Sequence, residues 1–330
     1  MTSQVDYTAP DPGQGLLRGV LRFFMKWLFR GLIRPAVPIA VQRLVIRLLT
    51  AAMPVSRGVS RTREIIAGRY CEWHRPNAGG QGRVMLYLHG GAYLIGSPAT
   101  HRSLCAKLAS LTQMDVCVID YRLAPEHRLP APREDAVAAY QALLQRGYAP
   151  ASIIIAGDSA GAHLTLITAL ELKARQLPLP AALVCFSPVV DFTAEHLHNP
   201  IAGDPLLNMS WIEQAADLVC EPGMNRRDPM LSPINADLSG LPPLLIQVAE
   251  EELLLNDSLR FAEAARAAGV RVQLEFFPRL WHVFQANTGL LKMADLALQR
   301  VANFTALHLP ATPAYEVPAT PPVAGTPQAE

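Results

Sequence analysis

Residues 157–161 read Gly-Asp-Ser-Ala-Gly and follow directly on the apolar run Ile153, Ile154, Ile155, Ala156. Glycine two places before and two places after Ser159 marks a turn so tight that side chains there would collide. A strand running into such a turn comes out as a helix, expected over residues 162–175, with Ser159 lifted above the sheet edge. The N–H of Ala160 and the positive end of that helix then face charge that develops near Ser159 Oγ. An ordinary Gly-Ser link between strand and helix has the same composition, so this turn alone does not decide for catalysis.

A second glycine turn lies upstream. A strand expected over 84–88 ends in His-Gly-Gly-Ala-Tyr at 89–93. A serine that attacks a carbonyl creates an oxyanion, which needs two or three N–H donors, and a glycine pair exposes such donors because no Cβ blocks the approach. The N–H groups of Gly91, Ala92 and Ala160 are the candidate oxyanion hole. A third segment reads Asp-Tyr-Arg-Leu-Ala-Pro-Glu-His at 120–127. Together the three segments resemble the bacterial hormone-sensitive-lipase-like branch of the α/β-hydrolase family, over roughly residues 60–305. That branch usually carries a third glycine where this chain has Ala92, which still offers an N–H but tightens the rim. The resemblance implies the α/β-hydrolase fold, with a mostly parallel sheet, helices on both faces and a small helical cap. It also implies a carboxylester hydrolase, with residues 121–127 bracing the loop beside the site, so neither Glu126 nor His127 is expected to be catalytic.

Serine is a poor nucleophile without a histidine base, and the histidine needs a carboxylate to orient it. In this fold the chain order is serine, acid, histidine. His282 and His308 come late enough. His308 adjoins a proline-rich tail, whereas His282 follows the strand expected over 272–277, at the sheet end where catalytic groups collect. His282 is therefore the expected base. Four carboxylates compete for the third role: Glu250, Glu251, Glu252 and Asp257. The resembling family commonly has an acid followed by x-Leu-x and a second acid, about thirty residues before the histidine. Glu252 fits that frame, one methylene longer than the usual aspartate. Glu251 and Asp257 remain alternatives, although Asp257 is expected to cap a helix over 258–268. Asp191 comes too early in the chain and reads as structural. Tyr93, Asp158, Trp211 and Trp281 are expected around the substrate.

The chain has 330 residues, 50% apolar and 17% charged, enough for one large core. A net charge of +1 gives no global field for nucleic acid. Five scattered cysteines match no zinc spacing and suggest reduced thiols in the cytoplasm. No phosphate-cradling loop or dinucleotide fingerprint appears, so no cofactor or metal is expected. Strands are expected near 63–74, 83–89, 115–119, 152–157, 182–187, 243–249 and 271–277. Helices are expected near 100–111, 133–146, 160–175, 211–220, 257–269 and 289–308. Such alternation predicts a mostly parallel sheet covered on both faces. The catalytic core is assigned to 61–190 and 236–309, a cap insertion to 191–235, and a disordered proline-rich tail to 310–330.

Residues 1–60 form a separate N-terminal segment. Cations at 18, 22, 26, 30 and 34 recur every fourth place, leaving Leu17, Leu21, Phe24, Trp27, Leu28 and Leu32 on the other faces. Five cations argue against a membrane-spanning helix, and the polar start argues against a signal peptide. The stretch 16–49 reads either as a cap helix whose apolar face covers the site or as an amphipathic helix on a membrane surface. A homodimer contact is equally compatible. The expected activity is hydrolysis of short- to medium-chain acyl esters by a small-molecule esterase. Its rivals are a lipase on longer glycerides, an amide deacylase and a non-catalytic receptor, the last disfavoured because His282 is present.

Overall fold

The structure, a computed structural model, describes residues 4–11 and 13–310; residues 311–330 of the expected tail lie outside the described residues. In chain order it contains β1 (Tyr7–Thr8), α1 (Gly15–Leu32), α2 (Ile39–Ala51), β2 (Val59–Ile66), β3 (Arg69–Pro76) and β4 (Val84–Leu88). There follow α3 (Arg102–Thr112), β5 (Asp115–Ile119), α4 (Ala131–Gln145), β6 (Ile153–Asp158), α5 (Ala160–Ala174) and β7 (Ala182–Phe186). The chain continues with α6 (Met209–Val219), β8 (Leu244–Ala249), α7 (Leu255–Ala267), β9 (Val272–Phe277) and α8 (Lys292–His308). The strands form one sheet in the order β1-β9-β8-β7-β6-β4-β5-β3-β2. Only the β2–β3 and β3–β5 pairs are antiparallel.

Strands β4, β6, β7 and β8 are buried along their whole length. That explains why they read as unbroken apolar runs rather than as alternations. Successive side chains still serve opposite faces. Val84, Leu86 and Leu88 join the larger core, and Met85 and Tyr87 join the smaller one. Helices α4, α5 and α7 pack on one side of the sheet, α3 and α8 on the other.

Three elements differ from expectation. The single strand expected over 63–74 is a hairpin, β2 and β3, closed by Ala67 and Gly68 at φ 48° and 75°. Two left-handed residues are the usual geometry of a two-residue hairpin, but Ala-Gly is a weak signal for it. The helical stretch expected over 16–49 is two helices, because Pro35 and Pro38 interrupt it; Pro38 immediately precedes α2. The short edge strand β1, parallel to β9, gave no sequence signal.

Helix α6, from the insertion 191–235, begins at Asn208, whose side chain accepts the Trp211 N–H at 2.9 Å. This N-cap also fixes the Trp211 ring. Its Nε1–H donates to Gln42 Oε1 at 3.1 Å, while Gln42 donates to the carbonyls of Arg34 and Val37. Gln42 is fully buried and every polar atom it has is used, so it pins α2 to α6. Arg18, Arg22 and Lys26 of the basic stripe of α1 face inward. Arg22 bonds Glu251 and the carbonyls of Ala202 and Gly203, and Lys26 bonds the Ala202 carbonyl. Phe24 and Trp27, expected on a covering apolar face, point to solvent instead.

Candidate active site

Ser159 sits between β6 and α5 with φ 54° and ψ −119°. Such a conformation costs a non-glycine residue about 1–3 kcal/mol and persists only where the surroundings impose it. Here they do. The Ser159 N–H donates to the Phe186 carbonyl at 2.8 Å, and its carbonyl accepts the His163 N–H at 2.9 Å. The two flanking glycines are required by space. A Cβ on Gly161 would lie 1.9 Å from the Leu88 carbonyl oxygen, and one on Gly157 would lie 2.4 Å from the Gly161 oxygen.

The loop after β4 turns at Gly91 (φ 119°), Ala92 (φ 53°) and Tyr93 (φ 59°). Two successive non-glycine residues in the left-handed region need external support. Tyr93 OH meets His163 Nδ1 at 2.6 Å, while His163 Nε2 meets the Leu231 carbonyl at 2.9 Å. A carbonyl only accepts, so the proton is on Nε2 and the tyrosine donates to Nδ1. Burial drives the His163 pKa down to about 4, which keeps the ring neutral as this arrangement demands. From the other side, Tyr121 donates to the His89 carbonyl and stacks on the His89 ring at 4.2 Å. The Ala124 N–H donates to the Tyr93 carbonyl at 2.8 Å. Arg43 from α2 grips Glu126 bidentately at 2.7 Å and the Leu94 carbonyl at 2.7 Å. Residues 121–127 thus brace the loop, and Glu126 is held in an ion pair. Among the described residues nothing accepts from the N–H groups of Gly91 and Ala92. Ala160, first in α5, has no intrahelical acceptor for its N–H.

Asp158 and Trp281 do not line the cavity beside Ser159, contrary to expectation. Asp158 belongs to β6, so its side chain points opposite to that of the neighbouring position. It accepts from Tyr87 OH at 2.8 Å and from the Gly90 N–H at 3.0 Å, with His101 Nε2 at 3.2 Å. Burial pushes its carboxyl up, but the His101 charge and the two hydroxyl and imidazole bonds outweigh that and hold it below the ordinary range. For His101, burial opposes charge and Asp158 overrides it, leaving the imidazole raised. Trp281 is fully buried in the core under β9.

His282, just after β9, is 5% exposed, and its Nδ1 lies 3.6 Å from Glu252 Oε2. That exceeds a hydrogen bond; His282 Nδ1 and Glu252 Oε1 both lack a partner among the described residues. The second oxygen of Glu252 is fixed by Ser187 Oγ at 2.7 Å. Burial works to lower the His282 pKa, yet Glu252 raises it further, so the net shift is upward. Burial raises the Glu252 carboxyl against the nearby His282 and the bond from Ser187. The competing carboxylates are engaged elsewhere. Glu250 accepts the Arg279 N–H at 2.8 Å, Glu251 pairs with Arg22, and Asp257 accepts the Val190 N–H at 2.9 Å. Asp257 is not the helix cap expected of it: α7 starts at Leu255, and Asp257 is buried in its first turn with its pKa driven up to about 7 by burial. Asp191 is bonded by Thr193 and Arg260, as a structural carboxylate would be.

A cavity enclosing about 640 Å³, its open mouth included, lies against Ser159. Ala92, Tyr93 and Ala160 border it on the core side, and Leu207, Trp211 and Val219 on the α6 side. Sequence reasoning missed Ser187, His163, His101 and Gln42. Each acts on a partner remote in sequence, and a lone serine, histidine or glutamine carries no local mark of that.

The nucleophile elbow, the loop after β4 and the strand order together define the α/β-hydrolase class. The profile described as alpha/beta hydrolase fold matches residues 85–286. An acetyl-hydrolase of Streptomyces hygroscopicus is 41% identical over 73% of this chain and 81% of its own. An esterase of Acinetobacter venetianus is 40% identical over 69% of this chain and 76% of its own. A hormone-sensitive lipase from a metagenome library superposes with a TM-score of 0.84 at 36% identity, covering 88% of this chain and 98% of that one. The esterase EstE5, whose crystal was soaked with p-nitrophenyl butyrate, gives 0.82 at 33% identity over 89% and 99%. The chain belongs to the α/β-hydrolase family, in its hormone-sensitive-lipase-like branch, and is a hydrolase of the carboxylic ester class.

Proposed function

We propose that the chain is a serine carboxylesterase acting on small acyl esters of short to medium chain. The observation that carries this reading is Ser159, held in a strained conformation against an apolar cavity, with unengaged N–H groups on the loop beside it. Ser159 Oγ attacks the ester carbonyl while His282 takes its proton. Glu252 holds the tautomer and stabilises the imidazolium; closing the 3.6 Å gap is the tightening that substrate binding supplies. The oxyanion rests on the N–H groups of Gly91, Ala92 and Ala160. His282 then returns the proton to the leaving alcohol, and water repeats the sequence on the acyl-serine to release the acid. Trp211 and Tyr93 border the acyl chain, and α1, α2 and α6 act as the cap. A cytoplasmic setting accords with five cysteines that are all unpaired and buried.

Hydrolysis of p-nitrophenyl esters from acetate to palmitate, by wild type and Ser159→Ala, tests the reading. A Ser159-dependent rate that peaks at short or medium chains is expected. No hydrolysis at any length would contradict it and favour an amide deacylase or a receptor. The lipase reading, with peripheral membrane contact, is favoured by one observation, the solvent-facing apolar side of α1.

A further inference from the structure

Helix α1 keeps three cations against the protein and leaves a second apolar side in water. Its cations Arg18, Arg22 and Lys26 are half-buried against Asp11, Glu251 and the Ala202 carbonyl. Leu21, Met25 and Phe29 pack inward beside them, but four large apolar side chains face water: Leu16 is 86% exposed, Phe23 68%, Phe24 63% and Trp27 72%. These fall at i, i+7, i+8 and i+11, one side of a helix. Leu44 and Leu48 of α2 are likewise more than half exposed. An exposed apolar stripe of this kind marks a binding surface.

Charge identifies the occupant. Residues 12–63 contain ten Lys and Arg and no Asp or Glu. The other 278 residues hold the remaining nineteen Lys and Arg against all 28 Asp and Glu, a net of −9. Near-neutrality overall therefore conceals a strongly cationic N-terminal segment. Five of its cations, Arg18, Arg22, Lys26, Arg43 and Arg63, are engaged by other parts of the protein, while Arg34, Arg47 and Arg57 are exposed. Exposed apolar side chains on a segment with this excess of positive charge match the acyl boundary and headgroups of an anionic bilayer. A second copy fits less well, since it would bring two such segments of like charge together. No helix among the described residues is long and apolar enough to cross the membrane, so the contact lies in its surface.

We propose that the outer side of α1, extended by α2, docks this protein on an anionic lipid bilayer, with the aromatic side chains inserted and Arg34, Arg47 and Arg57 at the headgroups. This deepens the ester-hydrolase reading by naming the surface on which the enzyme works, but the docking itself rests on the N-terminal segment and not on that reading. The link to the cavity is short: α2 holds Gln42, and Gln42 holds Trp211 of the cavity wall.

The test is co-sedimentation of the full chain with vesicles of phosphatidylcholine alone or mixed with phosphatidylglycerol, together with intrinsic fluorescence. Of the four tryptophans only Trp27 is exposed, so it is the reporter. Binding to the mixed vesicles, weakened by salt and accompanied by a blue shift of the emission, is expected. Trp27→Phe should abolish the shift and keep the binding. Phe23→Gln with Trp27→Gln should weaken binding at least about tenfold, with hydrolysis of dissolved p-nitrophenyl butyrate unchanged as the check on folding. No wild-type binding to mixed vesicles overturns the proposal, and so does equal binding to the neutral ones. A dimer that the double variant dissolves, without vesicle binding, also overturns it and assigns the side to a second copy. Absence of dissolved-ester hydrolysis by wild type would sink the esterase reading and leave the vesicle result standing.

Discussion

Glu252 illustrates what one carboxylate does when burial, hydrogen bonding and charge compete. Its position beside His282 raises the imidazole pKa above the ordinary 6.5 despite complete burial of the pair. As the proposed base, His282 works only as neutral imidazole, so activity should rise with pH and reach half its maximum above pH 6.5. In Glu252→Gln the largest of the influences that raise His282 is removed, while its burial and the smaller effects of Asp204 and Asp158 remain. The midpoint should then move to lower pH, and kcat/KM should fall about 10⁴-fold by analogy with neutralised triad acids; a pH–rate profile checks both. Glycine spacing and chain order single out Ser159 and His282 in the sequence. Glu252 was distinguished from Glu250 and Glu251 only by a family frame, since three adjacent glutamates have the same propensities and differ in which way the backbone turns each. Asp257 carries a separate prediction. Its folded pKa of about 7 exceeds the ordinary 3.8, so between those values the folded chain binds the extra proton and stability falls as pH rises. Asp257→Asn keeps an acceptor for the Val190 N–H and should remove that loss. Its Tm should exceed that of wild type at pH 8 and match it more closely at pH 5.

At the scale of the element, helix ends and strand ends set the site. Asn208 caps α6 through the Trp211 N–H. Asn208→Ala should therefore cost about 1 kcal/mol, read as a lower Tm, and loosen the cavity wall that Trp211 forms, read as altered acyl preference. Gly161 is the opposite case, where no side chain is tolerated: Gly161→Ala puts a Cβ into the Leu88 carbonyl, so loss of soluble folded protein is the expected result. Six of the seven expected strands and all six expected helices of the core were legible, because long apolar runs and glycine punctuation carry them. The β2–β3 hairpin was not, since Ala67-Gly68 is a weak turn signal. The orientation of α1 was not either. A helix with cations on one stripe tells which residues share a side, but Glu251 and the carbonyls of 202 and 203, far along the chain, decide which side faces in.

Across the whole molecule, parallel strands bring every proposed functional group to one edge of the sheet. Gly91 follows β4, Ser159 follows β6, Ser187 follows β7, Glu252 follows β8 and His282 follows β9. Open α/β sheets place their sites at these carboxyl ends. The strand order puts β4, β6, β7, β8 and β9 side by side, so residues nearly two hundred positions apart in sequence become neighbours. The N-terminal segment and α6 then close over that edge, joined by Gln42 and Trp211. The central claim is that Ser159 is the nucleophile of this assembly. Treatment with diethyl p-nitrophenyl phosphate, followed by intact mass and peptide mapping, tests it most directly. One diethylphosphoryl group on Ser159, forming in step with loss of ester hydrolysis, is the expected result. Stoichiometric labelling at another residue, or undiminished hydrolysis by Ser159→Ala, would contradict the account.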